Sequence, residues 1–142
     1  MNIKERAERL IKKCNTDDPF AAADFLGIGI LRENIGGPLG YYVGYCQHQI
    51  IIIERDAPQS LQKFICAHEL GHARTTPDDN TQKMLMFTGN PFTANKTERR
   101  ANEFALRFLL NDAFLRANPG CSTYDLARLR GIPQEFVYLL GV

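Results

Sequence analysis

The run His68-Glu69-Leu70-Gly71-His72 sets two imidazoles four residues apart, on the same helical stripe as Leu61, Phe64 and Ile65. That stripe is where the chain must bury a helix. At about 100 degrees per residue, positions i and i+4 stand one turn above each other on one face. Two polar rings facing a core need a partner, since an unsatisfied buried polar group costs about 1–3 kcal/mol. A divalent ion can satisfy both rings. Glu69, about a quarter turn round, then stands beside the ion, where its carboxylate can take a proton from a water that the ion activates. His68 and His72 are thus candidate metal ligands and Glu69 a candidate catalytic base.

A catalytic zinc keeps three protein ligands and one open position, so a third ligand must come from elsewhere. No further His follows at a useful spacing, and His48 falls in a turn-like segment where an exposed loop residue is the simpler reading. The next strongly periodic stretch, from about Thr97 to Leu110, carries Ala101, Phe104, Ala105, Phe108 and Leu109 on one face and Arg99, Arg100, Glu103 and Arg107 on the other. Glu98 and Asn102 interrupt the apolar face one turn apart. An unpaired carboxylate there is costly, whereas a metal-bound one is not. Glu98 is therefore the expected third ligand, with Asn102 placed to hydrogen-bond a ligand from behind. Two alternatives stay open: Glu98 closing a capping box with Asn95, and Glu103 as the carboxylate ligand.

The remainder of the chain supplies a frame for that helix. Ile3, Ala7, Leu10 and Ile11 share helical spacing, which predicts a surface helix ended by the Asn15–Pro19 cluster. A short helix follows through Leu26, capped near Asp18 with Pro19 in its first turn and Gly27 behind it, and then a strand over Gly27–Leu31. Tyr41–Tyr45 and Gln49–Glu54 are aromatic and β-branched, a hairpin around Cys46–His48. The central helix begins near Pro58 or Ser60 and stops at Thr75, Thr76 and Pro77. A polar connection, Asp78–Lys96, is interrupted by Met84–Phe87, and short helices near Tyr124–Arg130 and Pro133–Leu140 close the chain. The expected fold class is α+β, a small and largely antiparallel sheet packed on a helical core that carries the His68–His72 helix. One domain over residues 1–142 is expected, with a small helical segment from about 113 to 142.

Charge and cysteine content exclude several classes of function. A formal net charge of +1 gives no general attraction to nucleic acid or anionic membrane. The longest aliphatic run, Ile50–Ile53, is far below the roughly 20 residues that span a bilayer. The first 13 residues carry seven charges and lack the apolar core of a secretory signal, so a cytoplasmic location is expected. Cys14, Cys46, Cys66 and Cys121 are too scattered for a metal pair or a disulfide framework and read as reduced thiols.

At these residues the sequence resembles the ImmA/IrrE metallopeptidases, which look like reduced gluzincins of zincin-like fold. The resemblance runs through the Pro19–Gly29 stretch, the hairpin, Ala-His-Glu-Leu-Gly-His-Ala and the Thr97–Leu110 helix. It carries the family's zinc ligands onto His68, His72 and Glu98, its base onto Glu69 and its supporting amide onto Asn102. Arg100, Thr75, Thr76 and the Leu109-Leu110-Asn111-Asp112 helix end depart from the usual pattern, which bears on substrate choice more than on chemistry. The resemblance implies a regulatory zinc endopeptidase of a phage or mobile element that cleaves a helix-turn-helix repressor. Tyr41, Tyr42, Tyr45 and His48 offer themselves as oxyanion donors, with an edge strand to align a peptide.

Two other functions fit parts of the sequence. Leu126–Pro133, followed by Phe136 and Val137, resembles a helix-turn-helix, which suggests a DNA-binding regulator. Its would-be recognition helix carries no Lys or Arg, however, and Ile132, Phe136, Val137, Leu139 and Leu140 are expected to pack instead. A protein-interaction module with a non-catalytic metal site is the third reading. An intact Glu69 argues against it, as does the four-ligand habit of structural zinc.

Overall fold

The computed structural model describes residues 1–75, 83–85 and 96–140, with side chains placed through 75 and over 96–137. Helix α1 (Ile3–Cys14) starts at Asn2, whose Oδ1 accepts from the Glu5 amide at 2.8 Å, and ends at Asn15 in the left-handed conformation. The side-chain acceptor and the left-handed residue satisfy backbone groups that a bare helix end leaves orphaned. Ile3, Ala7 and Leu10 are buried, and α1 packs on the later helix Lys96–Leu109. Helix α2 (Pro19–Phe25) has the expected Asp18 cap and Pro19 start.

Strands β1 (Gly29–Glu33), β2 (Gly40–Tyr45), β3 (His48–Glu54) and β4 (Lys83–Leu85) form one sheet in the order β1-β3-β2-β4. The expected hairpin is present, with β2 antiparallel to β3 across a two-residue turn at Cys46 and Gln47, both at positive φ. That turn twists with the strands it joins. Strand β1 begins two residues later than the sequence suggests and pairs parallel with β3, so the sheet is mixed. The apolar interruption that begins at Met84 overlaps the edge strand β4, which starts at Lys83 and runs antiparallel to β2. The far side of this polar connection, including Asn95 and Phe87, lies outside the described residues.

Helix α3 (Gln59–Thr75) rests on the inner face of the sheet, where Tyr42, Ile51 and Ile53 are fully buried. Every residue from Phe64 to Ala73 is buried, so α3 is enclosed all round rather than along one stripe. The sheet covers one side, α2 a second, and α4 (Lys96–Leu109) a third. Helix α4 keeps the predicted wheel: Ala101, Phe104, Ala105, Phe108 and Leu109 are buried while Arg99 and Glu103 are not.

The C-terminal segment packs onto the same core. Helix α5 (Asp112–Ala117), which the apolar pattern does not reveal, is capped by Asn111, and α6 (Thr123–Leu129) by Ser122. The final element, Gln134–Leu140, is a 3-10 helix rather than an α-helix. The helix-turn-helix resemblance ends there: Ile132, Phe136 and Val137 are buried, and the Phe136 ring lies 5.1 Å from that of Phe64 on α3. Leu139 and Leu140 lie beyond the described side chains. No described helix is long and apolar enough to cross a membrane.

Candidate metal centre

Two close approaches set the geometry of the centre. Gly71 sits where α3 meets α4, and a Cβ there would lie 3.0 Å from both the Cα and the carbonyl oxygen of Ala101. Only a residue without a side chain permits that contact, and it puts the first turn of α4 opposite the two histidines. On the sheet side, a Cβ at Gly40 would meet Ile65 at 2.6 Å and Glu69 Oε2 at 3.1 Å. The start of β2 is therefore pressed against the Glu69 carboxylate.

In this frame His68, His72 and Glu98 converge. Glu98 Oε2 is 3.1 Å from His68 Nε2, and Glu98 Oε1 is 2.9 Å from His72 Nε2. Both histidines are fully buried, and Glu98 is partly buried. The imidazoles stand edge to face, with centroids 4.9 Å apart. All three ligand atoms lie within 4.8 Å of one another. Ligand atoms on a tetrahedral ion with bonds of about 2.0–2.1 Å lie roughly 3.3 Å apart. The donor set, two imidazole nitrogens and a carboxylate, is the one that borderline-soft zinc takes in catalytic sites, and its spacing fits. Glu103 stays on the outer face of α4, away from this cluster.

The electrostatics follow from burial and proximity. Partial burial raises the carboxyl of Glu98, but hydrogen bonds from His68 and His72 outweigh it and pull the pKa down to about 2. Glu69 goes the other way, raised well above its ordinary value by complete burial and then by the Glu98 charge. Neither Glu69 oxygen has a hydrogen-bond partner among the described residues. A buried carboxyl with no partner and a raised proton affinity is suited to acid–base work.

The supporting residues divide. Asn102 is 3% exposed, one turn after Glu98 as the wheel requires, yet its Oδ1 meets no donor among the described residues. Among the described residues Asn102 Oδ1 accepts no hydrogen bond from a ligand. His68 Nδ1 is buried too and has no hydrogen-bond partner among the described residues. Two orphaned polar atoms this close to the ligands mark a place where a further group is called for.

Strand parity sorts the four suggested oxyanion donors. Gly40, Tyr42 and Gly44 face α3, whereas Tyr41 and Tyr45 face the other side and His48 is exposed at the turn. Only Tyr42 reaches the metal side. It is fully buried, its ring is stacked 6.4 Å from that of His72, and its hydroxyl accepts from Gln49 Nε2 at 2.8 Å. Tyr42 thus supports His72 rather than facing open space. Gly40, Gly71 and this stacking are the parts of the centre that sequence reasoning missed. A glycine's role is set by what lies across from it, and no spacing rule signals that.

Comparison with known proteins agrees with the centre. The profile of the peptidase family described as "IrrE N-terminal-like domain" matches residues 23–138. The chain is 34% identical over 140 residues to immunity region protein 2 of Bacillus phage phi105, covering 96% of this chain and 87% of that one. It is 27% identical over 113 residues to the metallopeptidase ImmA of Bacillus subtilis (strain 168), covering 80% of this chain and 66% of the relative. Matched over most of its length by a peptidase profile, and carrying a His-His-Glu cluster able to hold a metal ion, the chain belongs to the IrrE N-terminal-like peptidase family.

Proposed function

We propose that this chain is a zinc-dependent endopeptidase that cuts a regulatory protein, a helix-turn-helix repressor. The observation that carries the reading is the convergence of His68 Nε2, His72 Nε2 and the Glu98 carboxylate on one point, beside a Glu69 whose oxygens have no hydrogen-bond partner among the described residues.

The residues divide the work as follows. His68 and His72 would hold the ion through Nε2, and Glu98 would hold it through its carboxylate, which its low pKa keeps ionised at neutral pH. When bound, zinc supplies Lewis-acid chemistry, acidifying a water molecule and polarising the scissile carbonyl. Glu69 takes the water proton as the nucleophile attacks, and passes it to the departing amine nitrogen as the peptide bond breaks. Burial favours the neutral form of Glu69 between those two events. Tyr42 and the Gly71–Ala101 contact hold His72 and Glu98 in place.

Support for the substrate class comes from the relatives and the family pattern. A protein named for a phage immunity region is a relative over nearly the whole chain, and this favours a regulatory protein as the target. The test is incubation of the zinc-loaded chain with a purified candidate repressor. The parent should release repressor fragments, while Glu69→Gln retains zinc and cuts at least about 100-fold more slowly. Undiminished cleavage by Glu69→Gln would overturn the assignment of the base. A chain that takes up no zinc would overturn the metal.

A further inference from the structure

A cleft of about 450 Å³ opens between the start of α2, strand β1 and the first turns of α3, lined by Asp18, Phe20, Arg32, Gln59, Gln62 and Lys63. It is separate from the metal centre. Gln59 precedes His68 by nine residues, about half a turn round the helix, so the cleft and the histidines use opposite sides of α3.

Arg32 is built into the wall of this cleft. Its Nε donates to Gln62 Oε1 at 2.9 Å, and its guanidinium carbon stands 4.9 Å from the centre of the Phe20 ring. Gln62 cannot swing away. It is 8% exposed, and its Nε2 donates to the carbonyls of Ala57 at 2.8 Å and Arg55 at 3.2 Å. A buried amide with both ends committed acts as a strut, and the aromatic ring fixes the plane of the guanidinium. The ordering cost of Arg32 is therefore met before any ligand arrives. Its two terminal nitrogens are bonded to no described side chain, which leaves a planar fork directed away from the strut.

The other wall residues set the charge. Lys63 adds a second cation. Asp18 adds one carboxylate and commits Oδ1 to the Phe20 amide at 3.1 Å. Two cations against one anion favour a monoanion, because Asp18 repels the second charge of a phosphate. Phe20 offers an apolar surface next to the fork. We propose that this cleft binds a carboxylate carried beside an apolar group, supplied by an acidic side chain of an extended peptide segment. The planar Arg32 fork grips the carboxylate through two parallel hydrogen bonds.

The test is a titration of the isotope-labelled chain followed by backbone amide chemical shifts, which reads binding without reference to zinc or cleavage. Three probes are used: acetate, a terminally blocked tetrapeptide with one glutamate beside one leucine, and the same peptide with glutamine. The glutamate peptide should shift the amides of Gln59, Gln62 and Lys63, and the glutamine peptide should bind about tenfold more weakly or not at all. Acetate weaker than the glutamate peptide supports a peptide source, while acetate as tight overturns that source in favour of a free small carboxylate. Arg32→Lys keeps the charge but loses the fork, and should weaken the glutamate peptide about tenfold with an unchanged melting temperature. Equal binding of the two peptides, or full binding by Arg32→Lys, overturns the proposal. If Arg32→Lys does not fold, Lys63→Ala serves: it should weaken the glutamate peptide, and unaltered binding by that folded variant overturns the proposal equally.

Discussion

The Ala101 backbone lies 3.0 Å from the position a Gly71 Cβ would take, and the Glu98 carboxylate that meets both histidines sits on the same helix as Ala101. Glu98 lies three residues before Ala101 on the same helix, so a displacement of α4 at the crossing is carried directly to the carboxylate.

A methyl group at Gly71 must push against backbone on the far side, since neither Ala101 Cα nor its carbonyl can rotate away. Overpacking of this kind costs about 1–3 kcal/mol. Gly71→Ala should therefore lower the urea midpoint and, by moving α4 outward, weaken zinc binding about tenfold. Competition against a coloured zinc chelator measures the second effect. A variant destabilised to that degree with unaltered zinc affinity would show that the crossing does not control the ligand.

Removal of zinc offers a second check, because a ligand that binds only the folded chain stabilises it by mass action. At free zinc about 100 times Kd the gain is about 2.7 kcal/mol. A chelator should therefore lower the melting temperature of the parent by several degrees. The same chelator should leave Glu98→Ala, which lacks the third donor, nearly unchanged. An equal drop in both proteins would place the stabilising metal somewhere other than His68, His72 and Glu98.

The most legible parts of the sequence were those where polar chemistry breaks an apolar period. Two histidines on a core stripe and a carboxylate on the buried face of α4 each violate burial rules unless something binds them, so both stood out. The sheet was harder. In β1 only Ile30 is even partly covered, so alternation could not reveal that the strand runs parallel to β3. Helix α5 buries no residue, which leaves no stripe to read. Its start was nonetheless encoded in Asn111, whose Oδ1 caps α5 at the Phe114 amide and whose Nδ2 reaches Asp17. Gly40 and Gly71 matter through what faces them, and a linear pattern does not contain that.

Asp17 ties the C-terminal segment to the body. Its Oδ2 accepts from Arg130 Nη1 at 2.9 Å and from Asn111 Nδ2 at 3.0 Å, while the Arg130 guanidinium lies 3.6 Å from the centre of the Phe114 ring. Burial raises the Asp17 carboxyl, but these two hydrogen bonds and the Arg130 charge outweigh it and leave the pKa below its ordinary value. A carboxyl depressed on folding adds stability above its unfolded pKa, about 3.9, and loses that contribution as pH falls through the folded value. Asp17→Asn should thus be less stable than the parent near pH 6, with the gap narrowing below about pH 4. Urea midpoints of both proteins across that range test the sign. A gap that stays constant or widens in acid would show that the Asp17 charge is not what holds Arg130.

Gly40 separates positioning of the base from binding of the metal. An added Cβ would lie 2.6 Å from Ile65 Cγ2 and 3.1 Å from Glu69 Oε2. Ile65 is β-branched and fully buried, so it yields little, and the strain falls on the strand and on the carboxylate. None of the metal ligands His68, His72 and Glu98 is among the three atoms nearest to an added Cβ. Gly40→Ala should accordingly keep zinc stoichiometry at the parental value while kcat falls by about one to two orders of magnitude, as a misplacement near 1 Å does to a general base. Gly29→Ala is the matched control, since its nearest neighbour would be Ile50 at an ordinary 3.7 Å and the residue lies at the outer strand β1. Loss of zinc together with activity in Gly40→Ala would mean that β2 holds the ligand helix as a whole. Full activity would mean that Glu69 has room to move and that the close approach of Gly40 plays no part in placing the base.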